Sequence, residues 1–160
     1  MEFIRILSLR FFDPEKRRFS NVGFKQPSGA GLDTPDGKKG ISVFERPCAA
    51  ATGRTPCEHI RHFYSGHFPE PCAYWSFDSH LLTPPPGQPD IQVPIFVHSP
   101  LPGGDPCHYN IHHLSSSRAQ KIFDAQALSG QLTLCTASGP QSFDADTATA
   151  LKREFFADPS

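Results

Sequence analysis

Proline is the residue that most constrains the fold of this chain, because 17 of its 160 residues are proline. The usual share of proline is only about 5%. Proline has no backbone N–H and a fixed φ angle, so it interrupts helices and central strands. The stretches rich in Pro and Gly, residues 26–40 and 82–106, are therefore predicted to be loops. The length is typical of one domain, which we expect to span residues 1–160.

Hydrophobic patterning predicts an α+β fold, with a mostly antiparallel sheet and about three helices, two of them in the C-terminal third. The clearest helix start is Thr55-Pro56-Cys57-Glu58, where Thr55 is the expected N-cap and Glu58 completes a capping box. This helix should end near Tyr64. Two more helices are predicted over residues 118–128 and from residue 143 or 145 to about 156. Gly130 stands where a helix-ending glycine belongs.

Strands are predicted from apolar runs and from alternation of apolar and polar residues. They are expected at residues 3–12, 19–25, 41–45, 73–77, 91–98, 107–114 and 131–136. Pro94 places the strand 91–98 at a sheet edge or a bulge. In the strand 107–114, alternation puts His108, Asn110 and His112 on one face.

Charge, hydrophobicity and cysteine content bear on the cellular compartment in which the protein is expected. The net charge is −1, and it is segregated: residues 1–61 have a local net charge of +4 and residues 62–160 one of −5, because 11 of the 15 basic residues lie in the first part. No stretch approaches the roughly 20 apolar residues of a membrane span, so no membrane association is expected. The N-terminus lacks the pattern of a signal peptide, and five cysteines in a domain of this size favour reduced thiols. We therefore expect an intracellular, cytoplasmic protein.

Histidines and cysteines form the most chemically active part of the sequence. No Lys or Arg occurs between residues 62 and 117, and that stretch holds seven of the eight histidines. His and Cys side chains are ligands that zinc accepts, which makes zinc the candidate metal, although the cofactor is left open. The candidate metal ligands are Cys57, His59, His62, Cys107 and His112. Buried cysteines and scattered surface histidines would give the same sequence without any metal.

An enzyme is the alternative that the same histidines suggest. Histidine titrates near pH ~6.5, so one ring can accept a proton while another donates one. His108 and His113 are the candidate acid and base, with Tyr109 available to hydrogen-bond a substrate. Arg10 and Arg61 are the candidate anion-binding residues, because a guanidinium can grip a phosphate. The expected substrate would contain a phosphate, as a nucleotide or a nucleic acid does.

Two short patterns resemble those of known enzyme families. His113-Leu114-Ser115 resembles one of the two His-x-Ser/Thr motifs of the 2H phosphoesterases, although His98-Ser99 lacks the residue that a second copy would need. The order Arg10, Ser42, Glu154 resembles the order of site residues in ADP-ribosyltransferases. The first resemblance would imply phosphoester chemistry carried out by histidine.

A basic segment offers a nucleic-acid contact. Lys16, Arg17 and Arg18 lie between phenylalanines, with Lys25 nearby, and such interleaving suits phosphate contact combined with base stacking. A solvated hairpin tip would have the same sequence. Taking low charge, stiff loops and segregated charge together, we expect a small accessory or interaction protein with a protein partner.

Overall fold

A computed structural model describes residues 1–24, 40–84, 87, 92–101, 103–126 and 131–156. Its strands are β1 (Glu2–Ser8), β2 (Phe12–Asp13), β3 (Arg18–Phe19), β4 (Ile41–Glu45), β5 (Cys72–Asp78), β6 (Ile95–His98), β7 (His108–His112), β8 (Leu132–Thr136) and β9 (Gly139–Ser142). Its α-helices are α1 (Arg46–Ala51), α2 (Pro56–Tyr64), α3 (Ser116–Gln126) and α4 (Ala145–Phe155). Short 3-10 helices occupy Leu9–Phe11, Asn21–Phe24 and Ser79–Leu82.

Seven strands form one antiparallel sheet in the order β6-β7-β4-β1-β5-β8-β9, and β2 pairs with β3 in a separate hairpin. The predicted α+β class with a mostly antiparallel sheet is confirmed. The edge position predicted for the strand 91–98 is confirmed, since β6 ends the sheet, but β6 begins only at Ile95, just after Pro94.

The sheet is covered on both faces, because alternate side chains of each strand point to opposite sides. We call one side the aromatic face; it carries Phe3, Leu7, Trp75, Phe77 and Leu134, and α3 and α4 pack against it. We call the other side the disulfide face. It carries Ile4, Ile6, Phe44, Cys72 and Cys135, and α1 and α2 pack against it.

Local sequence explains the helix starts. The side chain of Thr55 accepts from the Glu58 backbone N–H, and the full capping box that the sequence predicted at α2 is present. Asp144 caps α4, since its side chain accepts from the backbone N–H of Thr147. Ser115 caps α3, since its Oγ accepts from the backbone N–H of Arg118, and the helix begins two residues before the predicted start at residue 118. α1 was not predicted as a separate helix, although a proline in its first turn and three alanines favour it.

The predicted strand 19–25 is wrong beyond Phe19. The chain turns instead into the 3-10 helix Asn21–Phe24, whose Gly23 carbonyl accepts two bonds from the buried guanidinium of Arg5. This contact comes from a distant strand, so local patterning could not indicate it. The loop prediction for 26–40, apart from Gly40, lies outside the described residues, as do Lys25, residue 128 and Gly130.

Candidate functional site

Two neighbouring strands hold a serine and a histidine in direct contact. The hydroxyl Oγ of Ser42 on β4 lies 2.6 Å from Nε2 of His108 on β7. The other ring nitrogen, Nδ1, lies 2.7 Å from the backbone carbonyl oxygen of Ser99. Because a carbonyl can only accept, Nδ1 carries the proton of the neutral ring and Nε2 accepts from the Ser42 hydroxyl. This is the order of groups by which a histidine activates a serine.

The register of β4 and β7 explains why the two side chains meet. His108 lies opposite Phe44, and Asn110 lies opposite Ser42. Ser42 and His108 are therefore diagonal neighbours on the disulfide face, with Asn110 directly across from the serine. The prediction that His108, Asn110 and His112 share one face of a strand is confirmed.

Burial sets the protonation of the histidine. His108 is 5% exposed, and burial lowers its pKa below the usual range. The bond to Ser99 and the nearby carboxylate of Asp105 oppose that shift but do not reverse it. The ring is therefore neutral at neutral pH and able to take a proton. Ser42 itself is half-buried.

A small cavity lies beside Ser42 on the disulfide face. Its volume of about 10 Å³ is the room of about one water molecule. The side chains around it are mostly apolar and include Ile4, Ile6, Phe44, Tyr64 and Phe68. Only a very small group could enter without displacing them.

A second polar cluster is buried where α2 meets the segment before β7. His59 and Asp105 are both fully buried, with Nε2 of His59 3.0 Å from Oδ1 of Asp105. The Tyr64 hydroxyl donates to Oδ2, and the Cys107 backbone N–H donates to Oδ1 at 2.8 Å. Within the described part of the chain, neither ring nitrogen of His59 has a well-aligned hydrogen-bond partner. The His59–Asp105 contact is thus a close approach rather than a directed bond.

These contacts keep Asp105 ionised inside the protein. Burial would raise the pKa of Asp105, but His59, Tyr64 and the Cys107 N–H together bring it below its usual range. Burial, reinforced by Asp105, raises the pKa of Tyr64, so the hydroxyl stays protonated and continues to donate. The carboxylate therefore ties α2 to the segment before β7.

Four of the five cysteines form disulfides, so the prediction of reduced thiols is wrong. Cys48 pairs with Cys107, and Cys57 pairs with Cys135. The partners are 59 and 78 residues apart in sequence, yet their Cα atoms lie 5.7 and 5.5 Å apart. Spacing along the chain could not reveal this proximity. Cys72 is free and buried, and burial raises its pKa to about 12, which makes the thiol inert.

The structure brings together only part of the predicted metal-ligand set. His59 and Cys107 join Asp105, and one ligand atom from each lies within 4.8 Å of the others. Nitrogen, oxygen and sulfur donors of this kind are acceptable to zinc. The sulfur of Cys107 is bonded to Cys48, however, so it is not a thiolate in this state.

The remaining predicted metal ligands lie elsewhere. Cys57 is bonded to Cys135, and His62 is exposed on α2 with its ring against Phe63. His112 is buried at the far end of β7. Because residues 108–112 form a strand, His112 is roughly 13 Å along the chain from His108, too far for one metal ion.

The predicted acid–base pair of His108 and His113 is not brought together. His113 follows β7 with φ 62°, in the left-handed region, at least the length of the strand away from His108. Tyr109 faces the opposite side of the sheet from His108 and packs against Phe3 and His98. Burial, followed by a bond to Glu45, raises the pKa of Tyr109.

The predicted anion-binding arginines are engaged by other groups. Arg61 contacts Glu70 through Nε at 2.9 Å and Nη2 at 2.8 Å. The Arg10 guanidinium lies 5.7 Å from the ring centre of Phe156.

Arg5 was not among the predicted site residues; it is buried and donates to the carbonyls of Gly23 and Ser42. Burial lowers its pKa to about 10. The sequence signal that could have indicated this role is an arginine at an inward-facing position of an otherwise apolar strand.

The basic segment forms the tip of the β2–β3 hairpin. Lys16, Arg17 and Arg18 are exposed there. Nη1 of Arg17 lies 2.7 Å from a carboxylate oxygen of Asp146, and Nη1 of Arg18 lies 3.9 Å from one of Asp124. Acidic residues therefore neutralise much of the charge that a nucleic acid would need.

Beneath this tip lies a wide cavity of about 600 Å³, which we call the hairpin groove. This volume lies within the range of roughly 300–1,000 Å³ that small-ligand sites occupy. Its floor is formed by Phe12, Phe19, Phe123 and Phe143, and its rim carries Arg17, Arg18, Asp124 and Asp144.

The ring centres of the floor lie 5.3 to 6.0 Å from their neighbours. Phe12, Phe19 and Phe123 are at most 1% exposed, so Phe143 offers most of the accessible aromatic surface. The buried phenylalanines are packed as core rather than exposed for base stacking.

Two polar residues of these sites had weak signals in the sequence. Ser42 entered only through the ADP-ribosyltransferase resemblance, because a serine that alternates with Ile41 and Val43 is typical of the outward face of a strand. Asp105 follows two glycines, a pattern typical of an exposed turn, so the sequence did not indicate that its carboxylate is buried.

In the described part of the chain, no helix combines the length and apolar character needed to cross a bilayer. Comparison with family models, with curated proteins and with solved structures finds no match to this chain.

Proposed function

We propose that this chain is an interaction protein whose hairpin groove takes up an apolar side chain from a basic segment of a protein partner. The observation that carries the proposal is the groove itself, a cavity of about 600 Å³ with a phenylalanine floor and a charged rim. Pockets that join apolar walls to a few placed polar groups are the usual form of a binding site.

The charges around the groove favour a basic partner. Asp124 and Asp144 stand on the rim; Asp146 pairs with Arg17, and Asp124 lies 3.9 Å from Arg18. The Asp144 pKa is lowered by its bonds to Thr147, so this carboxylate is ionised at neutral pH. A phosphate would meet these carboxylates, whereas a lysine or arginine beside an apolar anchor would pair with them. This supports a protein partner over a nucleic acid.

The apolar anchor has a defined place. Phe143 is half-buried, and its ring centre lies 5.6 Å from that of Phe12 and 5.8 Å from that of Phe19. A large apolar side chain that covered Phe143 would complete a cluster of rings already packed edge to face. Aromatic pairs of this kind add binding energy beyond the area they bury.

The test is selection of peptides from a random display library on the purified protein with its disulfides intact. We expect enrichment of peptides that carry an aromatic or large aliphatic residue close to a lysine or arginine. The affinity of the selected consensus peptide should fall roughly tenfold in both Asp124→Asn and Phe143→Ala. Glu154→Gln removes one exposed carboxylate further along α4 and should leave the affinity unchanged.

The result that overturns the proposal is an affinity that neither groove variant changes, or enrichment of acidic peptides. Phe143→Ala removes a partly buried ring, so its melting temperature is compared with that of the parent protein. Asp124→Asn leaves the floor intact and decides the question if Phe143→Ala unfolds.

A further inference from the structure

We infer that Ser42 and His108 form a second, catalytic site, in which Ser42 is a nucleophile toward small acyl esters. The pair lies on the disulfide face, on strands at the other end of the sheet order from β8, which lines the hairpin groove. This inference therefore stands independently of the proposed binding function.

The geometry satisfies what a serine nucleophile needs. A serine hydroxyl is weakly nucleophilic until a base accepts its proton, and Nε2 of His108 is 2.6 Å away to do so. The base must itself be held in the right tautomer by a third group. The Ser99 carbonyl performs that task at 2.7 Å, and it belongs to the backbone, so it cannot swing away.

The backbone around the pair is also fixed. Nη1 of Arg5 donates to the Ser42 carbonyl at 2.8 Å and holds the strand from the side away from the hydroxyl. β4 also pairs with its neighbour β7 over four consecutive positions. Asn110 lies across from Ser42 on the same face, and a side-chain amide is one of the groups that can stabilise a developing oxyanion.

The reaction balances with water as the only co-reactant. Ser42 Oγ attacks the ester carbonyl carbon as its proton passes to Nε2 of His108, and the leaving alcohol departs with that proton. The acyl–Ser42 bond is then broken by a water whose proton passes through His108, which releases the acid and restores the serine. Ester and water are consumed, and acid and alcohol are formed.

The cavity beside Ser42 sets the substrate class. It has a volume of only about 10 Å³ and apolar walls that include Ile4, Ile6 and Phe68. A methyl group is about as large as the space allows. The geometry therefore points to acetyl esters, with longer acyl chains reacting more slowly.

The test uses 4-nitrophenyl acetate on the folded wild-type protein, both as the ester substrate and, after rapid acid quenching, as the source of the covalent acetyl adduct. Exposed histidines also cleave 4-nitrophenyl acetate, so the primary readout is the residue that carries the adduct, found by peptide mass spectrometry. We expect stoichiometric adducts on Ser42 and none in Ser42→Ala. Ester hydrolysis that saturates with substrate should fall roughly a hundredfold in His108→Gln.

Ser76→Ala is the matched control. Ser76 is also half-buried on the disulfide face, but its hydroxyl accepts from Nη1 of Arg46 rather than facing a histidine. This variant should keep both the adduct and the hydrolysis. Absence of an adduct on wild-type Ser42 would overturn the inference, and so would equal labelling of the Ser42→Ala variant. Both outcomes can be read even if His108→Gln fails to fold.

Discussion

His108 links structure to solution behaviour at the scale of a single residue. Its pKa is lowered by burial, whereas an unfolded histidine titrates near ~6.5. As the pH falls below ~6.5, the unfolded chain binds more protons than the folded one, so stability is lost in that direction. The charged or titratable groups that act on the ring are Asp105, which opposes the shift, and His98, which adds to it.

The corresponding prediction compares wild type with His108→Gln in urea unfolding from about pH 8 to about pH 5. We expect the wild type to lose more of its free energy of unfolding over this range than the variant. Curves that stay parallel at every pH would show that His108 does not titrate differently in the two states.

Residue pairs define the limit of what the sequence could predict. His108 was predicted to lie on a strand beside Asn110 and His112, and that local expectation is confirmed. Its partner Ser42 is 66 residues away, and only the pairing of β4 with β7 joins them. The sequence instead suggested His113 as the partner of His108, because the two are close along the chain. The extended strand between them keeps them apart in space.

At the scale of elements, α2 shows the strongest local control. Its N-cap Thr55 accepts from the Glu58 N–H at 3.3 Å, and Glu58 accepts in return from the Thr55 N–H at 3.2 Å. Both signals are local in sequence, and for that reason the bounds of α2 were predictable. The predicted strand 19–25 failed because a buried arginine from β1 decides the conformation there.

Removal of the cap should therefore have a measurable cost. Thr55→Ala is expected to lower the free energy of unfolding by about 1 kcal/mol, because the first turn of α2 loses an acceptor. The measurement is urea unfolding with both disulfides intact. Thr83→Ala, at an exposed threonine that begins no helix, should change stability by less than about 0.5 kcal/mol. Equal losses in the two variants would contradict the capping role.

At the scale of the whole molecule, the disulfides join the helices of one face to the sheet. Cys48 of α1 reaches the segment before β7, and Cys57 of α2 reaches β8. Each closes a long loop, which restricts the unfolded chain more than a short one would. Disulfides persist mainly in oxidising compartments, so the expected cytoplasmic location loses the support that reduced thiols would have given it.

The joint replacement Cys57→Ser with Cys135→Ser should lower the free energy of unfolding by about 2–4 kcal/mol under non-reducing conditions. A thiol reductant should destabilise the parent protein more than this double variant, which has one disulfide left to lose. If the reductant leaves the unfolding of the parent protein unchanged, the disulfides are not formed in solution or contribute nothing to stability.

The two ends of the sheet bear on how the protein behaves at high concentration. β6 and β9 are the terminal strands, and terminal strands can recruit strands from neighbouring molecules. Pro94 immediately precedes β6, and Pro140 lies within β9. Neither residue has an N–H to offer a neighbour, so each rim of the sheet is a poor template for amyloid-like growth. The abundance of proline that limits this chain to short elements thus also helps to keep its copies apart.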